Sequence, residues 1–353
     1  MRIDQITFTR FIAAMAIVFF HFGKPLNIFS NHFIHTLLVQ ANIGVSYFFI
    51  LSGFVMMIAY GSKPKIHPIS YLQNRFARIY PIYLLAIILS VFYQYYVEKK
   101  PLVLTDILLN SLALQSWIPS KAMSVNFPGW SLSVEFLFYA VFPLIFNYLY
   151  IKFSLKKLVI PILLFWIFSQ ILFMWAINSD WQISEVPRET ENFLFYFPLM
   201  HLNQFLLGNL AGLFFIIHLK NKANNYDWAI ILLSVILVCA LYFKLNEINY
   251  HNGLLAVFFV PFIILFSLNN GYITRLFSKK IFIYLGEISY GIYILQIPVF
   301  MMTKYILLKI GISGDLVIFI IGIMTLLIFS AISYQYIEIP LREKIKKLRI
   351  PFK

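Results

Sequence analysis

The chain has 353 residues, of which 61% are hydrophobic and only 12% charged, and its formal net charge is +14 at pH 7. Soluble domains average about 45–50% apolar and about 25% charged residues, so this composition excludes an ordinary soluble domain and indicates a polytopic membrane protein. The basic residues lie in short clusters between apolar runs, where the positive-inside rule puts them, and do not point to nucleic acid.

The first apolar run, "TFTRFIAAMAIVFFHF" from Thr7 to Phe22, carries two ionisable groups, Arg10 and His21. Eleven positions at about 100° each leave a remainder of about 20°. A regular helix therefore places both side chains on one face, about 16 Å apart. They can line one polar channel, or Arg10 can snorkel to the inner surface while His21 caps the outer end.

A span needs about 20 mostly apolar residues. After the run at 7–22, such stretches recur near 43–60, 79–97, 130–151, 158–177, 196–218, 228–243, 252–268, 281–300 and 314–336. They predict an all-α fold, a polytopic integral membrane bundle of about ten transmembrane helices. The piece from Asp106 to Trp117 is short and polar at its edges and reads as interfacial or re-entrant. No internal repeat, low-complexity segment or long linker interrupts the chain. Residues 1–353 are expected to form a single membrane domain with a short cytoplasmic basic tail at about 337–353.

Orientation follows from the loops. With the N-terminus inside, nineteen of the 28 Lys and Arg residues fall on the inner side, eight fall outside, and Arg10 lies in a span. Both termini are thus expected in the cytoplasm of a multi-pass protein of the cell inner (plasma) membrane. The acidic loop "DWQISEVPRETEN" is then external. No small-x-small cleavage site follows the first run, so it does not read as a cleaved signal peptide. The one cysteine, Cys239, excludes a disulfide or Cys-based metal site within the chain.

Charged groups inside spans cost about 2.5–3.5 kcal/mol each on an insertion scale and usually face a bundle interior. "GWSLSVEFLFYAVFP" places Glu135 inside a span with Ser131 one turn before it. A carboxylate there needs a cation or a donor, and Arg10 or His21 would serve if their helices are neighbours. "YLQNRFARIYPIYLL" puts Arg75 and Arg78 on one helix face at the cytoplasmic mouth of a span. The pair suits bidentate phosphate binding, although interfacial anchoring is the commoner reason for such cations. In "GVSYFFILSGFVMMIAY" the small residues Gly44, Ser46, Ser52 and Gly53 suggest close helix packing. In "YLGEISYGIYILQIPVF" Ser289, Tyr293 and Gln296 share a face, with Glu287 nearby. Ser131, Tyr293 and Gln296 are candidate substrate-binding residues, with interhelical hydrogen bonding as the plainer reading. His201 and His218 read as packed or interfacial. His32, His35, His67 and His251 read as loop residues without metal-ligand spacing, and no metal site is expected.

The order of these motifs carries more than any one of them. The run Arg10–x10–His21, then "FFILSGF", "RFARIYPIYLL", "WSLSVEFLFY", "YLGEISYGIYIL" and "YIEIPLR" resembles the acyltransferase-3 family of membrane acyltransferases, from Asp4 to about Arg342. The resemblance implies about ten transmembrane helices. It also implies transfer of an acyl group, chiefly acetyl, from cytoplasmic acyl-CoA to a hydroxyl of a lipid-linked or surface glycan. Acyl-CoA, the glycan and the lipid bilayer are then the partners, with no nucleic acid and no bound cofactor; the resemblance does not set an oligomeric state. Position by position, Arg10 and His21 match the family's Arg–x10–His pair. Arg75 and Arg78 match its Arg-x-x-Arg motif, associated with the acyl donor, and Glu135 matches its acidic residue. The catalytic candidates are thus His21, Arg10 and Glu135.

Gln296 stands where many members carry a His, and a neutral amide cannot take up a proton there. Many relatives also carry a hydrolase-like domain after the last spans. This sequence ends at Lys353, so a second transfer step is expected to use a separate protein. Intramembrane Arg, His and Glu equally suit a proton-coupled transporter or flippase, the alternative that the residues leave open, together with a receptor or scaffold that kept the fold.

Overall fold

A computed structural model describes residues 3–244 and 248–348. Arg2 and the end of the basic tail, residues 349–353, lie outside the described residues. The protein is all-helical, with 79% helix and no strand among the described residues. In chain order the helices are α1 (Asp4–Val18), α2 (His32–Val39), α3 (Gly44–Tyr60), α4 (Pro68–Phe92), α5 (Leu104–Ser111), α6 (Trp130–Ile145), α7 (Leu155–Ile177) and α8 (Pro187–Tyr196). There follow α9 (Leu202–Phe214), α10 (Asp227–Tyr242), α11 (Ala256–Leu268), α12 (Tyr272–Phe277), α13 (Lys280–Lys309), α14 (Asp315–Ser333) and α15 (Ile339–Lys347).

Among the described residues, eight helical stretches are long and apolar enough to cross a membrane by length and composition. The runs expected at 228–243 and 252–268 form α10 and α11, of 16 and 13 residues, shorter than that criterion. Several boundaries move for local reasons. Proline at the first position of α4, after an extended His67, starts that helix at Pro68. Arg75 and Arg78 therefore stand two to three turns inside α4. Pro198 forces Phe197 into an extended conformation, which separates α8 from the turn that opens α9. The Asp106–Trp117 piece divides into α5 and a short 3-10 turn, Gln115–Trp117. His32 and His35, expected in a loop, belong to α2, whose first turn is capped by the Asn31 side chain.

The chain divides into two compact units: residues 1–65 with 145–287, and residues 66–144 with 288–353. The first unit is built on α3 and α9. Gly208 and Gly212, one turn apart on α9, face Ile50, Phe54 and Met57, while Gly53 of α3 faces Phe205 and Asn209. A Cβ at Gly208 would run into the Ile50 carbonyl, so the two backbones touch where only glycine fits. α7 packs on α9, and α1 and α11 pack on α3.

In the second unit α4 is the organising element. α5 and α15 pack along it, and Gln73 Nε2 donates to the Ile345 carbonyl at 2.8 Å and also to that of Leu348, fixing the end of α15. Tyr71 of α4 lies against Phe142 of α6 at a centroid distance of 5.7 Å. Tyr290 of α13 donates to the Ile79 carbonyl of α4 at 3.0 Å.

Candidate functional site

In the first unit α1 does not stay regular to its end. After Val18 the chain widens into a π-type turn, Phe19–Gly23, that contains His21. Such a turn adds residues per revolution, so the regular-helix spacing that sets His21 about 20° from Arg10 fails over the last turn. His21 is half-buried and flanked by the rings of Phe20 and Phe22, at centroid distances of 5.1 and 6.3 Å. The Lys24 ammonium caps the Phe20 ring at 3.6 Å and is within electrostatic reach of His21. Nothing in the spacing singles out this cation.

Arg10 is half-buried on α1. Its neighbour Thr9 shares a short hydrogen bond with the Tyr47 hydroxyl of α3, and Arg10 lies within electrostatic reach of that phenol. Thr9 thus makes the contact between α1 and α3, and Arg10 lies beside it.

The second unit gathers charge. The Tyr139 hydroxyl donates to Glu135 Oε2 at 3.0 Å, one turn along α6. Arg75 and Arg78 of α4 are both within electrostatic reach of Tyr139, and the Arg75 guanidinium lies 5.8 Å from the Tyr71 ring centroid. Tyr290 of α13 is within reach of Glu135 and of Glu338, a carboxylate only 4% exposed just beyond α14. Three residues singled out by sequence therefore meet in one cluster, joined by Tyr71, Tyr139, Tyr290 and Glu338. Two guanidinium groups and two carboxylates balance in charge, which offsets the cost of burying either sign alone. The three tyrosines carry no signal among 22 in the chain. Glu338 is visible in the sequence only as part of "YIEIPLR".

Ser131 and Tyr293 also meet. The Tyr293 hydroxyl donates to Ser131 Oγ at 2.9 Å and approaches the Pro128 carbonyl at 3.2 Å. Gln296, fully buried, donates through Nε2 to the Tyr293 carbonyl at 2.7 Å, while its Oε1 has no hydrogen-bond partner among the described residues. Gln296 is therefore tied to its own helix rather than to Ser131.

His201 is fully buried, as its packed reading expects, whereas His251 departs from its own. His251 is not a plain loop residue. It is 8% exposed, and its Nε2 lies 2.8 Å from the Phe195 carbonyl, which His201 Nε2 also approaches at 3.0 Å. Their rings stand 5.5 Å apart. Burial pushes the His251 imidazole down to about 4. Fifty residues separate the two in sequence, so no local pattern could join them.

Long apolar helices with charge clustered among them define a multi-pass membrane protein. The chain belongs to the acyltransferase-3 family: residues 3–335 match the family described as an acyltransferase domain. It is 32% identical over 153 residues to the acyltransferase MdmB of Streptomyces mycarofaciens, covering 40% of this chain and 39% of that protein. A putative O-acetyltransferase of Staphylococcus aureus strain COL is 26% identical over 383 aligned residues, covering 95% of this chain and 56% of the relative. The peptidoglycan O-acetyltransferase OatA of Listeria monocytogenes is 23% identical over 332 residues, covering 85% and 51%. The chain thus spans about half the length, or less, of these curated relatives. No solved structure matches it.

Proposed function

We propose that this chain is a membrane O-acyltransferase, moving an acyl group, chiefly acetyl, from cytoplasmic acyl-CoA to a hydroxyl of a lipid-linked or cell-surface glycan. Residues 1–353 act as one membrane acyltransferase domain of the inner membrane. The helices α10 and α11 complete ten spans, and both termini face the cytoplasm. The observation that carries the reading is the match across residues 3–335, with Arg75, Arg78 and Glu135 held in one cluster in support.

The chemistry follows from the groups. Acyl-CoA brings a diphosphate and a further phosphate, and two guanidinium groups two to three turns inside α4 suit them. Glu135 and Glu338 keep the arginines balanced when no donor is bound. The acceptor oxygen attacks the thioester carbon, a C–O bond forms and the C–S bond breaks. A neutral His21 takes the hydroxyl proton as general base and passes it to the departing sulfur, which leaves as the CoA thiol. Arg10, three turns back along α1, attracts and orients the anionic donor rather than touching the reacting carbon. Ser131, Tyr293 and Gln296 line the substrate path, and Gln296 holds it by hydrogen bonding without proton transfer.

The test is transfer of label from acetyl-CoA to membrane glycan by the purified chain in lipid. His21→Ala and His21→Gln should lower transfer at least 100-fold while the protein reaches the membrane at its normal level. Retained transfer in well-expressed His21→Ala removes His21 from the chemistry. Proton-driven sugar flux with no label transferred would replace the enzyme by a carrier.

A further inference from the structure

The first unit contains a second polar centre, built from neutral side chains. Its base is the turn before α11, where three consecutive carbonyls each receive a side-chain donor. Ser46 of α3 donates to the His251 carbonyl at 2.8 Å, Gln170 of α7 to that of Asn252 at 2.9 Å, and Trp166 of α7 to that of Gly253 at 3.0 Å. Gly253 adopts a positive φ of 92°, and a Cβ there would strike Gln204. The turn is held from two helices and pressed against a third.

Against it lie Asn203 and Gln204 of α9. Gln204 Nε2 lies 3.0 Å from His201 Nδ1, with His201 Nε2 on the Phe195 carbonyl. The pairing fixes His201 as the neutral tautomer that donates from Nε2. Asn203 Nδ2 donates to the Met200 carbonyl at 2.8 Å and reaches Asn252 Oδ1 at 3.4 Å. Each of these amides thereby turns its other end loose. Among the described residues, Asn203 Oδ1, Gln204 Oε1 and Asn252 Nδ2 are buried with no hydrogen-bond partner, in side chains no more than 1% exposed. A buried unpaired polar atom costs about 1–3 kcal/mol, and three in one cluster are a large burden for a packing device.

Two bare acceptors and one bare donor in a neutral cluster define what satisfies them. A phosphate or carboxylate offers acceptors only and would face two amide oxygens. An ammonium ion offers nothing to Asn252 Nδ2. A hydroxyl both donates and accepts. We propose that Asn203, Gln204 and Asn252, held by His201 and the clamped turn 251–253, form a subsite for the hydroxyl groups of an uncharged carbohydrate acceptor. The subsite rests on the transferase reading and adds where its acceptor is held. The first turn of α3 connects it to the chemistry. Ser46 grips the turn, while a Cβ at Gly44 would come within 2.8 Å of the Ala13 carbonyl of α1, the helix that leads into the His21 turn.

The experiment uses the full chain in lipid with labelled acetyl-CoA and a titrated extract of envelope glycan, and compares Asn203→Leu and Asn252→Leu with the wild type. Three quantities are read: base-labile label on the glycan, direct acetyl-CoA binding, and melting temperature. The expected result is transfer at least tenfold lower at limiting glycan that recovers as glycan is raised, with acetyl-CoA binding and melting temperature unchanged. Wild-type transfer in both variants would mean that buried water or packing alone occupies the cluster, and the proposal falls. Transfer lost together with acetyl-CoA binding and melting temperature assigns the residues to structure, and it falls again. If the wild-type chain moves no label, the transferase reading fails first, and the wild-type control alone reveals this.

Discussion

The two units hide polar groups in an apolar chain by opposite means. In the second unit Arg75 and Arg78 are set among tyrosines with Glu135 and Glu338, residues of opposite sign within electrostatic reach of the same phenols. In the first, His201, Asn203, Gln204, His251 and Asn252 make a centre of neutral groups, three of them fixed by backbone carbonyls and the others by these side chains. Charge that is balanced when no ligand is bound suits an anionic ligand that can displace the balance. Unpaired amides suit a ligand that carries its own donors and acceptors. On the proposed reading, the contrast assigns donor recognition to one unit and acceptor recognition to the other.

The strongest test of that division is Arg75→Ala with Arg78→Ala. Acetyl-CoA binding should weaken at least tenfold, read by direct binding to the purified protein, whereas Asn203→Leu and Asn252→Leu leave it intact. Unchanged donor binding in the double variant would return the arginines to membrane anchoring and dissolve the comparison.

A smaller effect probes the frame under the neutral centre. Gly208→Ala forces a methyl group onto the Ile50 carbonyl and should destabilise the first unit by about 1–3 kcal/mol, the usual cost of overpacking. The readout is the melting temperature in detergent. An unchanged value would mean that α3 and α9 separate at no cost, and that their close approach does not hold the neutral centre in shape.

The smallest effect is a pH dependence. His251 titrates at about 4 in the fold because burial disfavours its charged form, against about 6.5 in an unfolded chain. Below pH 6.5 the unfolded chain takes up a proton that the folded one refuses, so stability is full above that pH and is lost as pH falls toward 4. Melting temperature should drop across this window, and His251→Asn should flatten part of the drop. A slope identical in the variant would show that His251 is not held neutral.

Much of the arrangement is legible in the residues alone. The apolar runs anticipate the long helices, and the small residues around Gly53 anticipate close packing. The glycine pair on α9 that completes this packing, Gly208 and Gly212, is inconspicuous within its apolar run. Arg75 and Arg78 share a face as their spacing requires. That α4 begins at Pro68, ahead of the apolar run, follows from the proline rather than from hydropathy. His201 and His251 carry no functional signal, because a single histidine in an apolar run looks the same whether it packs or takes part in a site.

Hydropathy and ordered motifs are properties of the chain read along its length, and they suffice for the membrane class, the helices and the family. Three features depend instead on how the chain folds back on itself. His21 sits in a widened turn, Tyr139 and Tyr290 lie within electrostatic reach of Glu135, with Glu338 near one and the arginines near the other, and His251 joins His201 on one carbonyl. Periodicity reports which residues share a face. Which faces meet depends on close packing between helices far apart in the chain, and a polar side chain gains its role only from the partner it meets there.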